Sequence, residues 1–124
     1  MFSLGSGLVY QLYSKRCDMR KSFDGLSGIV RDQLSRDPFS GEVFIFLNRS
    51  NTLIKLLQWQ EGGFVLYYKR LEKGTFTPPK LQAGETAIKW MDLVHMIGGI
   101  QIKEYTKKER YELKKQERFR QKSG

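Results

Sequence analysis

The chain is expected to take an α+β fold: an antiparallel β-meander sheet packed by two helices, with a basic C-terminal helical tail. Three observations lead there. Strand-like runs at 42–48, 52–59 and from 64 are separated only by the turn-forming tetrads "NRSN" and "QEGG", and links that short join antiparallel neighbours. Two other stretches carry apolar residues at helical spacing. From Thr106 the apolar pattern stops and the chain becomes "TKKERYELKKQERFRQKSG".

The elements follow in order. "LVYQLY" (8–13) alternates weakly and reads as a short first strand. In "DMRKSFDGLSGIVRDQLSRDP", Met19, Phe23, Leu26, Val30 and Leu34 build one apolar helix face. Asp18 is placed to cap its start, and Asp37-Pro38 stops it. Gly25 and Gly28 suggest a close approach of this helix to the sheet, or a bend. "EVFIFLN" (42–48) is almost wholly apolar, the pattern of a strand covered on both faces. "TLIKLLQW" (52–59) and "FVLYYKR" (64–70) complete the meander, and "TFTPPKLQAGE" is a proline-broken loop. The second helix spans about 86–97, with Ala87, Trp90, Met91, Val94 and Ile97 on one face and Gly98-Gly99 at its end. "IQIK" (100–103) suits a short edge strand. The expected division is one domain over 1–103 and a basic helical or disordered tail over 104–124.

The composition narrows the function. Of 124 residues 40% are apolar and 13% aromatic, enough for a globular core. The net charge of +9 favours a polyanionic partner: nucleic acid, an anionic membrane or an acidic protein face. A single cysteine, Cys17, cannot make an internal disulfide and reads as a buried thiol. The N-terminus lacks a basic segment followed by a long apolar core, so no secretory signal is expected. The longest aliphatic and aromatic run, "VFIFL", is too short to span a bilayer. A cytoplasmic protein without membrane contact is the expectation.

Catalytic patterns are sparse. His95 and Cys17 are the sole imidazole and thiol, so no common zinc site and no Cys-His pair can be assembled from the sequence. There is no phosphate-binding glycine loop and no nucleophile elbow. Asp18, Asp24, Asp32, Asp37 and Asp92 could serve a two-metal nuclease only if they converged, and none ends a core strand. No enzymatic activity, metal or cofactor is expected.

Basic and aromatic residues, by contrast, interleave. Strand alternation puts Phe64, Leu66, Tyr68 and Arg70 on one face and Val65, Tyr67, Lys69 and Leu71 on the other. Lys55 and Trp59 share a face of the preceding strand, and Lys73 lies just beyond. Aromatic planes stack on bases and cations neutralise phosphates. The same spacing also suits half-buried sheet residues with cations at a wet hairpin end. Residues 103–122 hold nine Lys or Arg against four Glu. Lys107, Lys108, Arg110, Lys114, Lys115 and Arg118 are candidate phosphate contacts there, and a solvated helix is the plain alternative.

Four blocks carry a resemblance: "DMRKSFDGL", "DPFSGEVFIFLNR", "IKLLQW" and "GFVLYYKRLEKGTF". In this order and spacing, over about 5–102, the chain resembles the small accessory transposition proteins of the insertion sequence 66 family. That is the second of the element's three proteins, often called TnpB and unrelated to the RNA-guided nuclease of that name. Where members of the family often carry Trp-Pro after the last phenylalanine, this chain has "FTPP". The resemblance implies a bacterial mobile element whose acidic-triad transposase is a separate protein. It implies a small protein that is required for, or assists, transposition; with that setting, the +9 charge and the sheet cations make DNA and the transposase the expected partners of a non-catalytic accessory protein. Within the matched blocks it marks Arg20, Lys21, Arg49, Lys55, Trp59, Tyr68, Lys69 and Arg70, and Lys73 lies in the last block. Three readings stay open: a DNA-binding assembly factor, an adaptor that touches only the transposase, and a cryptic metal-dependent nuclease.

Overall fold

The computed structural model describes residues 4–98. In chain order they form β1 (Tyr10–Arg16), α1 (Phe23–Asp32), β2 (Val43–Leu47), β3 (Leu53–Gln60), β4 (Gly63–Arg70), β5 (Ala87–Ile88) and α2 (Trp90–Ile97). The five strands make one sheet in the order β4-β3-β2-β1-β5. The expected meander is present, with Phe44 opposite Leu57 and Lys55 opposite Tyr68 in antiparallel register.

The sheet is mixed, however, and not antiparallel throughout. β1 pairs in parallel with β2, Tyr10 opposite Val43 and Leu12 opposite Ile45. The reason is the connection. α1 carries the chain back to the end where β1 began, so β2 sets out in the same direction. Short turns mark antiparallel neighbours only from β2 onward.

Both faces of the sheet are covered. Val43, Ile45 and Leu47 of β2 join Tyr10, Leu12, Ile54 and Leu56 against Leu93 and Met96 of α2 and against Phe76. Phe44 and Phe46 point the other way, with Leu57, onto Leu26 and Val30 of α1 and Cys17. Every residue of β2 is therefore fully buried, which is why its sequence does not alternate. Burying each phenylalanine or aliphatic side chain here contributes about 1.5–3 kcal/mol.

Several local readings change. α1 is shorter than its apolar period. Lys55 takes the carbonyls of Met19 and Lys21 before the helix begins, and Ser35 adopts a positive φ of 54° that lets the Arg36 N–H reach the Val30 carbonyl. Asp18 does not cap α1; Ser22 holds that position without a side-chain bond. Gly25 marks no approach to the sheet, because a Cβ there would meet the Lys21 side chain. α2 starts later, since residues 87–88 pair with β1. Its buried face is Leu93 and Met96, whereas Met91 and Val94 are exposed. The strand read at 100–103 and the tail at 104–124, with Lys107, Lys108, Arg110, Lys114, Lys115 and Arg118, lie outside the described residues.

Candidate functional site

The parallel pair decides where the charges meet. β1 and β2 finish at the same end of the sheet, Arg16 opposite Leu47. β4 finishes there too, with Arg70 opposite Leu53 at the start of β3. The loop after β4 folds back onto the β2–β3 turn: the Leu71 N–H donates to the Thr52 carbonyl at 2.8 Å and the Phe76 N–H to the Asn51 carbonyl at 2.7 Å. Arg16, Arg20, Lys21, Arg49, Arg70 and Lys73 are all exposed on this end or on the loops that cap it. Four neighbouring strands make it about 14 Å wide. In open sheets, ligands are met at the carboxyl ends of parallel strands.

Asp18 organises the loop after β1. Its carboxylate accepts from the Arg20 backbone N–H at 2.9 Å and from the guanidinium at 3.1 and 2.8 Å. These bonds to Arg20 hold the Asp18 carboxyl well below the usual carboxylate range. The Arg20 side chain itself stays almost wholly in water. Arg16, Cys17, Asp18 and Arg49 line a shallow cleft beside it. The Cys17 thiol is buried, and that burial raises its pKa. It is the packed thiol its surroundings in the sequence suggest.

Lys55 plays a different part from the one its alternation suggests. It is 8% exposed, so it is not a surface contact. Its ammonium donates to the Met19 and Lys21 carbonyls, each at 2.8 Å, and lies 5.4 Å from the centre of the Tyr68 ring. A buried ammonium is tolerated only when its donors are used. Here it ties β3 to the loop bearing Arg20 and Lys21. Lys69 likewise turns inward. Its ammonium donates to the Ile97 carbonyl at 2.8 Å, meeting the negative end of α2. Tyr68 and Arg70 keep the α1 face and are exposed. No hydrogen bond or ion pair among the described residues engages the Arg70 guanidinium.

Trp59 is not at the basic end. It belongs to an aromatic shelf at the opposite end of the β3–β4 pair, with Phe39 at 5.0 Å and Phe64 at 5.0 Å between ring centres. Phe39 also meets Phe64 at 5.4 Å, and Phe23 stacks on Phe64 at 6.4 Å. Phe39 is 56% exposed despite these contacts. The turn that displays it is held by its own backbone bonds, the Phe39 N–H to the Asp37 carboxylate at 2.9 Å and the Ser40 N–H to the Asp37 carbonyl. Phe39 was passed over in the sequence, and Phe23, read there as part of the apolar helix face, is 41% exposed. The available signal was a large apolar residue at the tip of "DPFSG", where a turn has no use for one. Arg16 was passed over as well; its place becomes visible only once β1 and β2 are known to be parallel.

Among the described residues, no three of His, Cys, Asp and Glu converge to hold a metal. Asp32 pairs with Arg31 and Asp37 serves its turn. His95 is half-buried on α2.

The family model for IS66 Orf2-like proteins matches residues 9–107. The chain belongs to that family. IS66 Orf2-like proteins are accessory proteins of transposition, associated with the transposition machinery of an insertion sequence. Among curated relatives, the uncharacterized protein y4hO of Sinorhizobium fredii is 33% identical over 101 residues, covering 81% of this chain and 87% of the relative. The uncharacterized protein y4jC of the same organism is 29% identical over 84 residues, covering 68% and 72%. No solved structure matches this IS66 Orf2-like chain. Among its described residues no helix is long and apolar enough to cross a membrane.

Proposed function

We propose that this protein is a non-catalytic, cytoplasmic accessory factor of bacterial DNA transposition that binds DNA directly and helps a separate transposase assemble on it. The observation that carries the reading is the convergence of Arg16, Arg20, Lys21, Arg49, Arg70 and Lys73 at one end of the sheet. The carboxylates that come with them are few: Asp18 is spent on Arg20 and Glu72 lies in the loop after β4. Exposed cations on a rigid end neutralise phosphates without reading sequence. The cations from Lys107 to Arg118 add to the positive charge of the chain. Of the strand residues that suggested DNA contact, Arg70 and Tyr68 are exposed near that end, Lys55 is buried beneath it, Lys69 turns away to α2 and Trp59 lies at the other end of its strand.

Fluorescence anisotropy with labelled DNA at several salt concentrations tests this. Affinity should fall steeply between about 50 and 200 mM salt as counterions are released. Arg49→Ala with Arg70→Ala should weaken binding and flatten that dependence. Absence of binding at about 50 mM salt would remove the proposal.

A second reading, an adaptor for the transposase, is favoured by the exposed aromatic shelf. Large aromatics in a cluster are typical anchors of protein interfaces. Phe39→Ala and Phe39→Ser should then lose co-purification with the transposase after nuclease treatment. Loss only upon nuclease treatment, in the unaltered protein, would count against the adaptor. The nuclease reading finds no converging carboxylates among the described residues to support it. Nicking of supercoiled plasmid with magnesium or manganese would revive it.

A further inference from the structure

We infer that Tyr68 is a stacking platform for an unpaired base, so that the basic end recognises single-stranded or opened DNA in preference to intact duplex. The inference rests on the DNA-binding proposal and deepens it by naming the class of DNA.

Tyr68 lies on an extended strand with half of its surface, 50%, in water. One side of its ring packs on a buried cation. The Lys55 ammonium sits 5.4 Å from the ring centre and cannot follow a moving ring, because the Met19 and Lys21 carbonyls hold it. No hydrogen bond among the described residues engages the Tyr68 hydroxyl, so the ring is not displayed to satisfy that group. A cation against an aromatic ring makes its π-system poorer in electrons, which favours stacking with an electron-rich base. Other exposed cations stand on the neighbouring segments. Arg70 stands two residues along on the same strand face. Arg20 and Lys21 project from the loop whose carbonyls the same Lys55 holds. An exposed aromatic plane set among cations is the combination that holds single strands. In intact duplex the base faces are already stacked on one another, and a ring on a sheet meets only sugar and phosphate.

The test uses the full chain and three DNA probes of about 12 nucleotides, within the span of such grooves: a single strand, a blunt duplex, and a duplex with a frayed end. One unpaired position carries 2-aminopurine, whose fluorescence falls when it stacks. The single strand and the frayed duplex should bind more tightly than the blunt duplex and show quenching. Tyr68→Ala should abolish the quenching and weaken single-strand binding by roughly five- to a hundredfold, with blunt-duplex binding unchanged. Tyr68→Trp should restore both. Tyr68→Leu keeps apolar bulk over Lys55 and should behave like Tyr68→Ala while melting like the unaltered protein, which separates stacking from folding. Equal losses on single strand and duplex, or full affinity in Tyr68→Leu, would overturn the inference. If the unaltered protein binds no DNA, the DNA-binding proposal falls first. If it binds every probe alike and Tyr68 is silent, only the inference falls, and a protein contact at Tyr68 takes its place.

Discussion

Lys55, Lys69 and Arg70 look alike in the sequence and differ in what surrounds them. Lys55 is buried and donates to two carbonyls, so Lys55→Met leaves both without a donor. It should destabilise the protein by about 1–3 kcal/mol, read by urea denaturation, and weaken DNA binding through a loosened loop. Lys69 donates to the last turn of α2, whereas no described group engages the Arg70 guanidinium. Lys69→Ala should cost about 0.5–1.5 kcal/mol and leave DNA affinity nearly intact. Arg70→Ala should change stability by no more than about 0.5 kcal/mol and reduce affinity. The reverse pattern in thermal melts and anisotropy would show that the two have been misassigned. Glu42 gives the pH dependence. The Arg36 guanidinium, bonding both of its oxygens at 2.8 Å, holds its carboxyl below the ordinary 4.5. The unfolded chain therefore binds that proton more tightly. The stability from the pair is complete above the unfolded value and is lost as pH falls through the folded one. Glu42→Gln should lower the melting temperature at pH 7 and make the acid limb of a pH–stability curve shallower.

At the scale of elements, β2 is buried over its whole length and hydrogen-bonded on both sides, to β1 and β3. Its amides should be the slowest to exchange with deuterated solvent, and those of the two-residue β5 among the fastest in the sheet. The turn leading into β2 has its own requirement. Gly41 holds φ at 92°, and its carbonyl accepts from the Gln58 side chain at 3.0 Å. A Cβ at Gly41 would meet nothing within 4 Å, so the cost of Gly41→Ala is conformational alone. It should destabilise by about 1–3 kcal/mol. Because the turn displays Phe39, capture of a partner protein should weaken with it.

Over the whole molecule, charge and shape separate into two surfaces on the α1 side of the sheet. Phe64 and Arg70 are six residues apart on β4, about 20 Å in an extended strand. That separation leaves room for the proposed DNA contact at the basic end and the proposed protein contact at the aromatic shelf at the same time. The tail adds a further charge term. Deleting residues 104–124 should leave the melting transition in place, because no apolar stripe in that segment can feed the core. It should lower affinity for unrelated DNA and flatten the salt dependence. Loss of the cooperative transition on truncation would mean that the segment docks.

The strands of the meander, the buried character of β2 and the burial of Leu26 and Val30 on α1 were legible in the sequence, because they depend on period and on turn chemistry, which are local. So was the alternation that sends Lys69 and Arg70 to opposite sides of β4. The parallel pairing of β1 was not, since a strand's direction relative to its neighbour is set by how the intervening helix packs. That one pairing brings Arg16 beside Arg49 and makes a single basic end from segments distant in the chain. Which cations are exposed was also a tertiary decision. Lys55 and Arg70 share a sheet face in the sequence pattern, but α1 and its leading loop cover one and leave the other in water. The rotation of α2 was misread for the same reason: Met91 and Leu93 are equally apolar, and only the sheet beneath chooses between them.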